Sequence, residues 1–125
     1  MDISALKKDR LEVWVQFTPD VRLKLRYIPR DELQRLAKAA TVVELDPKSR
    51  QKVETFDGLK SDVLLCQAAV VDYTGLEMDG QPFPCTPENI ELLASKWTGF
   101  ASFVARVCID LEEMQRSDLE AVEKN

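Results

Sequence analysis

The side chains that most often carry chemistry are sparse in this sequence. It holds no histidine, which removes Ser-His-Asp and Cys-His nucleophile–base pairs and the commonest zinc sites. Its three cysteines, Cys66, Cys85 and Cys108, stand far apart and form no CxxC pair, so they read as free, buried thiols of a reducing compartment. No GxGxxG or GxxxxGK[ST] is present to cradle a phosphate. Asp72-Tyr73-Thr74-Gly75 lacks the alternating oxygen ligands of a calcium loop. The paired carboxylates Glu88/Glu91 and Glu112/Glu113 sit where solvated helix faces place them. The residues therefore predict no enzyme, no cofactor and no bound metal.

Surface contact is the remaining mode of action, and charge constrains it. The net charge of −5 argues against a nucleic-acid footprint, which needs a basic face. The charge is uneven: residues 1–60 hold 13 Lys/Arg against 10 Asp/Glu, a net of +3, and residues 61–125 hold 4 against 12, a net of −8. That split fits two solvated faces of one domain, or an acidic half that docks on a basic partner or on another copy, as weak self-association. No apolar run reaches the roughly 20 residues of a membrane span, and Met1 to Lys8 lacks the apolar core of a signal peptide. A chain of 125 residues is expected to form a single domain over 1–125, with 1–10 and 116–125 frayed.

The elements that would position any binding surface are legible in part. Leu11, Val13, Val15 and Phe17 alternate with polar residues and Trp14, and after Thr18-Pro19-Asp20 so do Val21, Leu23, Leu25 and Tyr27. This is the pattern of a β-hairpin. Pairing Phe17 with Val21 sets Glu12 opposite Arg26, and Trp14 opposite Lys24 as a cation–π pair, all on the outer face. Leu33, Leu36, Ala37 and Ala40 form one stripe of a helix from Arg30 to Ala40. Val42 to Leu45 suggests a short strand, Asp46-Pro47 a turn, and Lys48 to Phe56 a polar loop or weak helix. Leu59 to Val71 reads as a buried helix closed by Tyr73 and capped by Gly75; β-branched Val63, Val70 and Val71 leave a strand near its end as the alternative. Asp79-Gly80 signals a tight turn, Pro82 and Pro84 exclude helix, and Thr86-Pro87 caps a short helix through Ala94. Trp97, Phe100, Val104, Val107, Cys108, Leu111 and Met114 then recur at helical spacing, followed by a charged end in which only Leu119, Ala121 and Val122 are apolar. The expected fold is α+β and mostly α-helical: an N-terminal antiparallel β-hairpin packed on a small helical bundle with a long C-terminal helix.

Several short patterns together carry a resemblance. They are Tyr27-Ile28-Pro29-Arg30-Asp31-Glu32-Leu33, Val71-Asp72-Tyr73-Thr74-Gly75, the Gly80 turn, Thr86-Pro87-Glu88-Asn89 with Leu92-Leu93, Phe100-x-x-Phe103 and the end Glu123-Lys124-Asn125. Over most of residues 11–125 the chain resembles the small tail assembly chaperones of long-tailed phages and prophages. It departs at Tyr73, where members often carry Trp. The resemblance implies a host-cytoplasmic protein that binds the tape measure protein during tail assembly, keeps it soluble and helps recruit tail tube protein. Tyr73, Met78, Phe83 and Trp97, with Leu119 and Val122 on the charged end, are the expected partner-binding residues, an apolar strip with a charged rim for a helical client. The competing expectation is a small structural phage protein, a head–tail connector or tail terminator, which would form a ring.

Overall fold

The structure is a computed structural model describing residues 11–124, with side chains described through residue 117. It is an α+β fold in which a three-stranded antiparallel sheet carries a helical layer. The alternating segment forms β1 (Glu12–Gln16) and β2 (Arg22–Arg26). Their register is Glu12 with Arg26, Trp14 with Lys24 and Gln16 with Arg22, as the alternation predicts. The turn closes where Phe17 N–H donates to the Val21 carbonyl at 2.9 Å, and the Thr18 hydroxyl accepts from Val21 N–H at 3.1 Å. Opposite residues are not always the interacting ones. Lys24 bridges diagonally to Glu12 at 3.2 Å, and Arg22, not Lys24, lies over the Trp14 ring at 5.3 Å.

Arg26 departs further from expectation. It is buried instead of lying on the outer face. Its guanidinium pairs both oxygens of Glu32, at 2.9 and 2.6 Å, and its Nε donates to the Ala68 carbonyl at 2.6 Å. Glu32 belongs to α1 (Arg30–Ala39) and Ala68 to α2 (Gly58–Ala69), so this one side chain ties the strand to two helices. Such burial is tolerated because both charge and hydrogen-bonding capacity are met.

The apolar run after Gly58 divides into two elements. Asp57 caps α2, its side chain accepting from Lys60 N–H at 3.1 Å. The helix ends at Ala69, and the chain passes without a loop into β5 (Val70–Thr74), antiparallel to β2. Tyr73 therefore lies on a strand and does not close a helix. Gly75, at φ 88°, is not a helix cap but directly follows the last residue of β5. A Cβ there would overlap the Asp20 carbonyl oxygen, so β5 can approach the β1–β2 turn this closely only with glycine at that position. The strand alternative at Val70 and Val71 is the one realised. A register shift between Lys24 and Leu25 leaves Val71 as an extra residue, and this bulge turns both Val70 and Tyr73 inward.

Residues 41–57 form a second hairpin. β3 (Thr41–Leu45) pairs with β4 (Lys52–Phe56), so the stretch expected as polar loop or weak helix ends in a strand. Its Val53, Thr55 and Phe56 supply enough β-propensity once β3 offers a ladder. The Asp79-Gly80 turn, with φ 53° and 76°, joins the two-residue strands β6 (Glu77–Met78) and β7 (Gln81–Pro82). Thr86 caps α3 (Pro87–Lys96), accepting from Asn89 N–H at 3.2 Å with Pro87 in the first turn. Gly99, at φ 90°, separates α3 from α4 (Phe100–Lys124). Leu23, Leu25, Cys66, Phe100, Val104 and Leu111 are the most deeply buried side chains. They lie where α2 and α4 cover the sheet, and the inner hairpin face of Leu11, Val13 and Val15 packs against them. Among the described residues no single helix is long and apolar enough to cross a membrane.

Candidate partner-binding surfaces

The described residues contain no group of three or more His, Cys, Asp or Glu side chains placed to hold a metal. Cys66 is buried, and Cys85 and Cys108 are partly covered. Burial pushes the Cys66 thiol up to about 12, helped by Asp62 and Cys108, and raises Cys85 and Cys108 as well. Raised thiols hold little thiolate near neutral pH, which is the wrong direction for a nucleophile.

The residues expected to meet a partner do not converge. Tyr73 is buried; its hydroxyl donates to the Pro84 carbonyl at 2.6 Å, and its ring stacks on half-buried Phe83 with centroids 6.3 Å apart. This pair fastens the β6–β7 segment to the sheet, leaving exposed Met78 as the accessible apolar side chain of that group. Trp97 belongs to another cluster, edge-on to Phe17 at 4.9 Å and stacked on Phe100 at 5.9 Å, with Phe103 also edge-on to Phe17 at 4.7 Å. Leu119 and Val122 fall in the helical backbone of α4, but their side chains lie outside the described residues.

A concave apolar feature among the described residues lies elsewhere, between α1, α2 and α4. It is a half-open groove of about 170 Å³ lined by Ile28, Leu33, Leu65, Ala105, Cys108, Ile109 and Glu112. Ile28 forms the floor at 3% exposure, while Leu33 and Ile109 form the lips at 39% and 58%. The size suits one large apolar side chain, not a whole small-molecule ligand. Glu112 on the α4 side pairs with Arg116 at 3.8 Å, and Asp110 and Glu113 stand beside it in sequence. A signal for this groove was present in the sequence. Ala105, Cys108, Ile109 and Glu112 recur at i, i+3, i+4 and i+7, next to the core stripe of Val104 and Leu111, so α4 is apolar over a wider arc than one core contact needs.

The β3–β4 hairpin exposes apolar side chains on both faces, Val43, Leu45 and Phe56 on one and Val53 on the other, at 45–64% exposure. Comparison with known protein families, with characterised proteins and with solved structures gives no match for this chain.

Proposed function

We propose that this protein is a tail assembly chaperone of a long-tailed phage or prophage. In this reading it is not an enzyme; it acts in the host cytoplasm, binds the tape measure protein, keeps it soluble without ATP or metal, and helps recruit tail tube protein. The phage-tail part of the proposal rests on the residue patterns at Tyr27–Leu33, Val71–Gly75 and Thr86–Asn89. The structural observation that supports client binding is the open groove between α1, α2 and α4. An amphipathic client helix would insert one apolar side chain between Leu33 and Ile109, and a flanking basic residue would share Glu112 with Arg116, with Asp110 and Glu113 adding to the negative charge of α4. Apolar insertion supplies most of the affinity, and the acidic rim sets partner choice and association rate.

The test is co-expression with the tape measure protein encoded beside it, measuring soluble client. The expected result is a soluble client with the wild type and much less with Ile109→Asp, a change at an exposed position that leaves the core intact. Removing residues 116–125 is expected to weaken capture while the fold persists. A client equally insoluble with and without this protein overturns the proposal. In that event a stable ring by light scattering would identify a structural phage component instead.

A further inference from the structure

The β3–β4 hairpin pairs with no third strand among the described residues, although an isolated two-stranded ribbon is marginal in water. Its hydrogen-bond pattern fixes which groups point outward. Asp57 N–H donates to the Ala40 carbonyl and Asp46 N–H to the Gln51 carbonyl, each at 2.9 Å. Given the register of Val42 with Thr55 and Glu44 with Val53, alternation makes Val53 and Thr55 the residues of β4 that bond to β3. The N–H and C=O groups of Lys52, Glu54 and Phe56 therefore lie along the outer edge.

We infer that two copies of this chain join through that edge, their β4 strands antiparallel about a twofold axis at Val53, to make a four-stranded sheet β3-β4-β4-β3. Outward groups must meet outward groups, which confines an antiparallel pairing to registers centred on a residue. Charge then selects among them. Centring on Lys52 opposes Lys52 to itself, and centring on Glu54 opposes Glu54 to itself; both juxtapose like charges. Centring on Thr55 leaves Glu54 facing Phe56. Only the register centred on Val53 sets Lys52 opposite Glu54, and symmetry makes that pair twice. It also lays Val53, 45% exposed, against its own copy, on the face of the ribbon opposite to Val43, Leu45, Phe56 and the Lys52–Glu54 pairs. The outer edge of β3 presents Thr41, Val43 and Leu45, with no charge to choose a register. The surface is small, so the dimer is weak and concentration-dependent. The inference is independent of the chaperone proposal and of the α1–α2–α4 groove.

Sedimentation velocity on the full chain over a concentration series tests it. The wild type is expected to shift from monomer toward dimer as concentration rises. Lys52→Glu sets a carboxylate against each copy of Glu54, repelling at both symmetric pairs, and should weaken association about tenfold or more; Glu54→Lys, which opposes ammonium to ammonium, should do the same. The double exchange Lys52→Glu/Glu54→Lys restores opposite charges and should restore the dimer. Glu54→Pro, which removes an outward N–H but no β3–β4 bond, should abolish it with circular dichroism unchanged. A wild type that remains monomeric to about 1 mM overturns the inference. So does a dimer indifferent to Lys52→Glu, or one that the double exchange fails to rescue.

Discussion

At the residue scale, the buried guanidinium of Arg26 shows how one side chain can organise three elements. Removing its counter-charge strands a cation at a site where Arg26 is only 6% exposed. Glu32→Ala is therefore expected to destabilise the fold by about 2–3 kcal/mol, below the full cost of breaking a wholly buried pair because Glu32 keeps some solvent contact. Denaturant melts measure this, and a loss under about 0.5 kcal/mol, the range of ordinary surface changes, would mean the pair is solvated. Leu25, fully buried beneath α2 and α4, is the apolar counterpart, and Leu25→Ala should cost about 2–5 kcal/mol in the same assay. Leu25's burial could be read from the alternation of the strand. Arg26's could not, because a charged residue at an outward position signals solvent unless its partners, here Glu32 and Ala68, are already known.

At the element scale, what the sequence made legible was what is local. The β1–β2 register followed from alternation around a three-residue turn, and the Thr86-Pro87 start of α3 followed from capping chemistry. β5 was obscured because Val70 and Val71 continue the apolar run of α2 without a break, and its partner β2 lies far back in the chain. β4 was obscured because it has no buried face to impose a period. The candidate groove takes its lining from three helices and from Ile28 in the segment between β2 and α1, so no single window of sequence contains it. The two hairpins should accordingly differ in protection. In dilute solution, amide hydrogen exchange is expected to be slowest at Leu23 and Leu25, which require global opening, and much faster at Val42, Glu44 and Val53, which a local opening of β3–β4 releases. Equal protection of the two sheets would mean that β3–β4 opens only with the whole fold.

At the scale of the whole molecule, the core should make stability sensitive to alkali. The Cys66 thiol titrates near 9 when unfolded and is pushed up to about 12 in the fold by burial; Tyr73 likewise rises from about 10 to about 12. Both groups are neutral when protonated. As pH rises above about 9 the unfolded chain loses protons that the folded chain retains, so ionisation stabilises the unfolded state. The Cys66 contribution is fully present below pH 9 and is lost between 9 and about 12, at up to about 1.4 kcal/mol per pH unit while the folded thiol stays protonated. Urea melts between pH 8 and 11 should show this fall, and Cys66→Ala should flatten the portion that begins near pH 9. An unchanged slope in that variant would show that Cys66 ionises as freely in the fold as in the unfolded chain.

The position of β2 at the centre of its sheet also has a kinetic consequence. One neighbour, β1, is reached across a three-residue turn, whereas β5 begins more than forty residues further along the chain. The first pairing closes a small loop and the second a long one, which carries the larger entropic cost. The hairpin can therefore form early as a template, and docking of α2 with β5 sets the height of the barrier. Substitutions in the Thr18-Pro19-Asp20 turn should change the folding rate only if that template is already present at the barrier, whereas Val70→Ala should act on folding to the extent that β5 has docked there. Chevron plots of the two would order the assembly of the sheet in time: whichever strand pair is complete at the barrier slows refolding when weakened, and the pair formed afterwards only hastens unfolding.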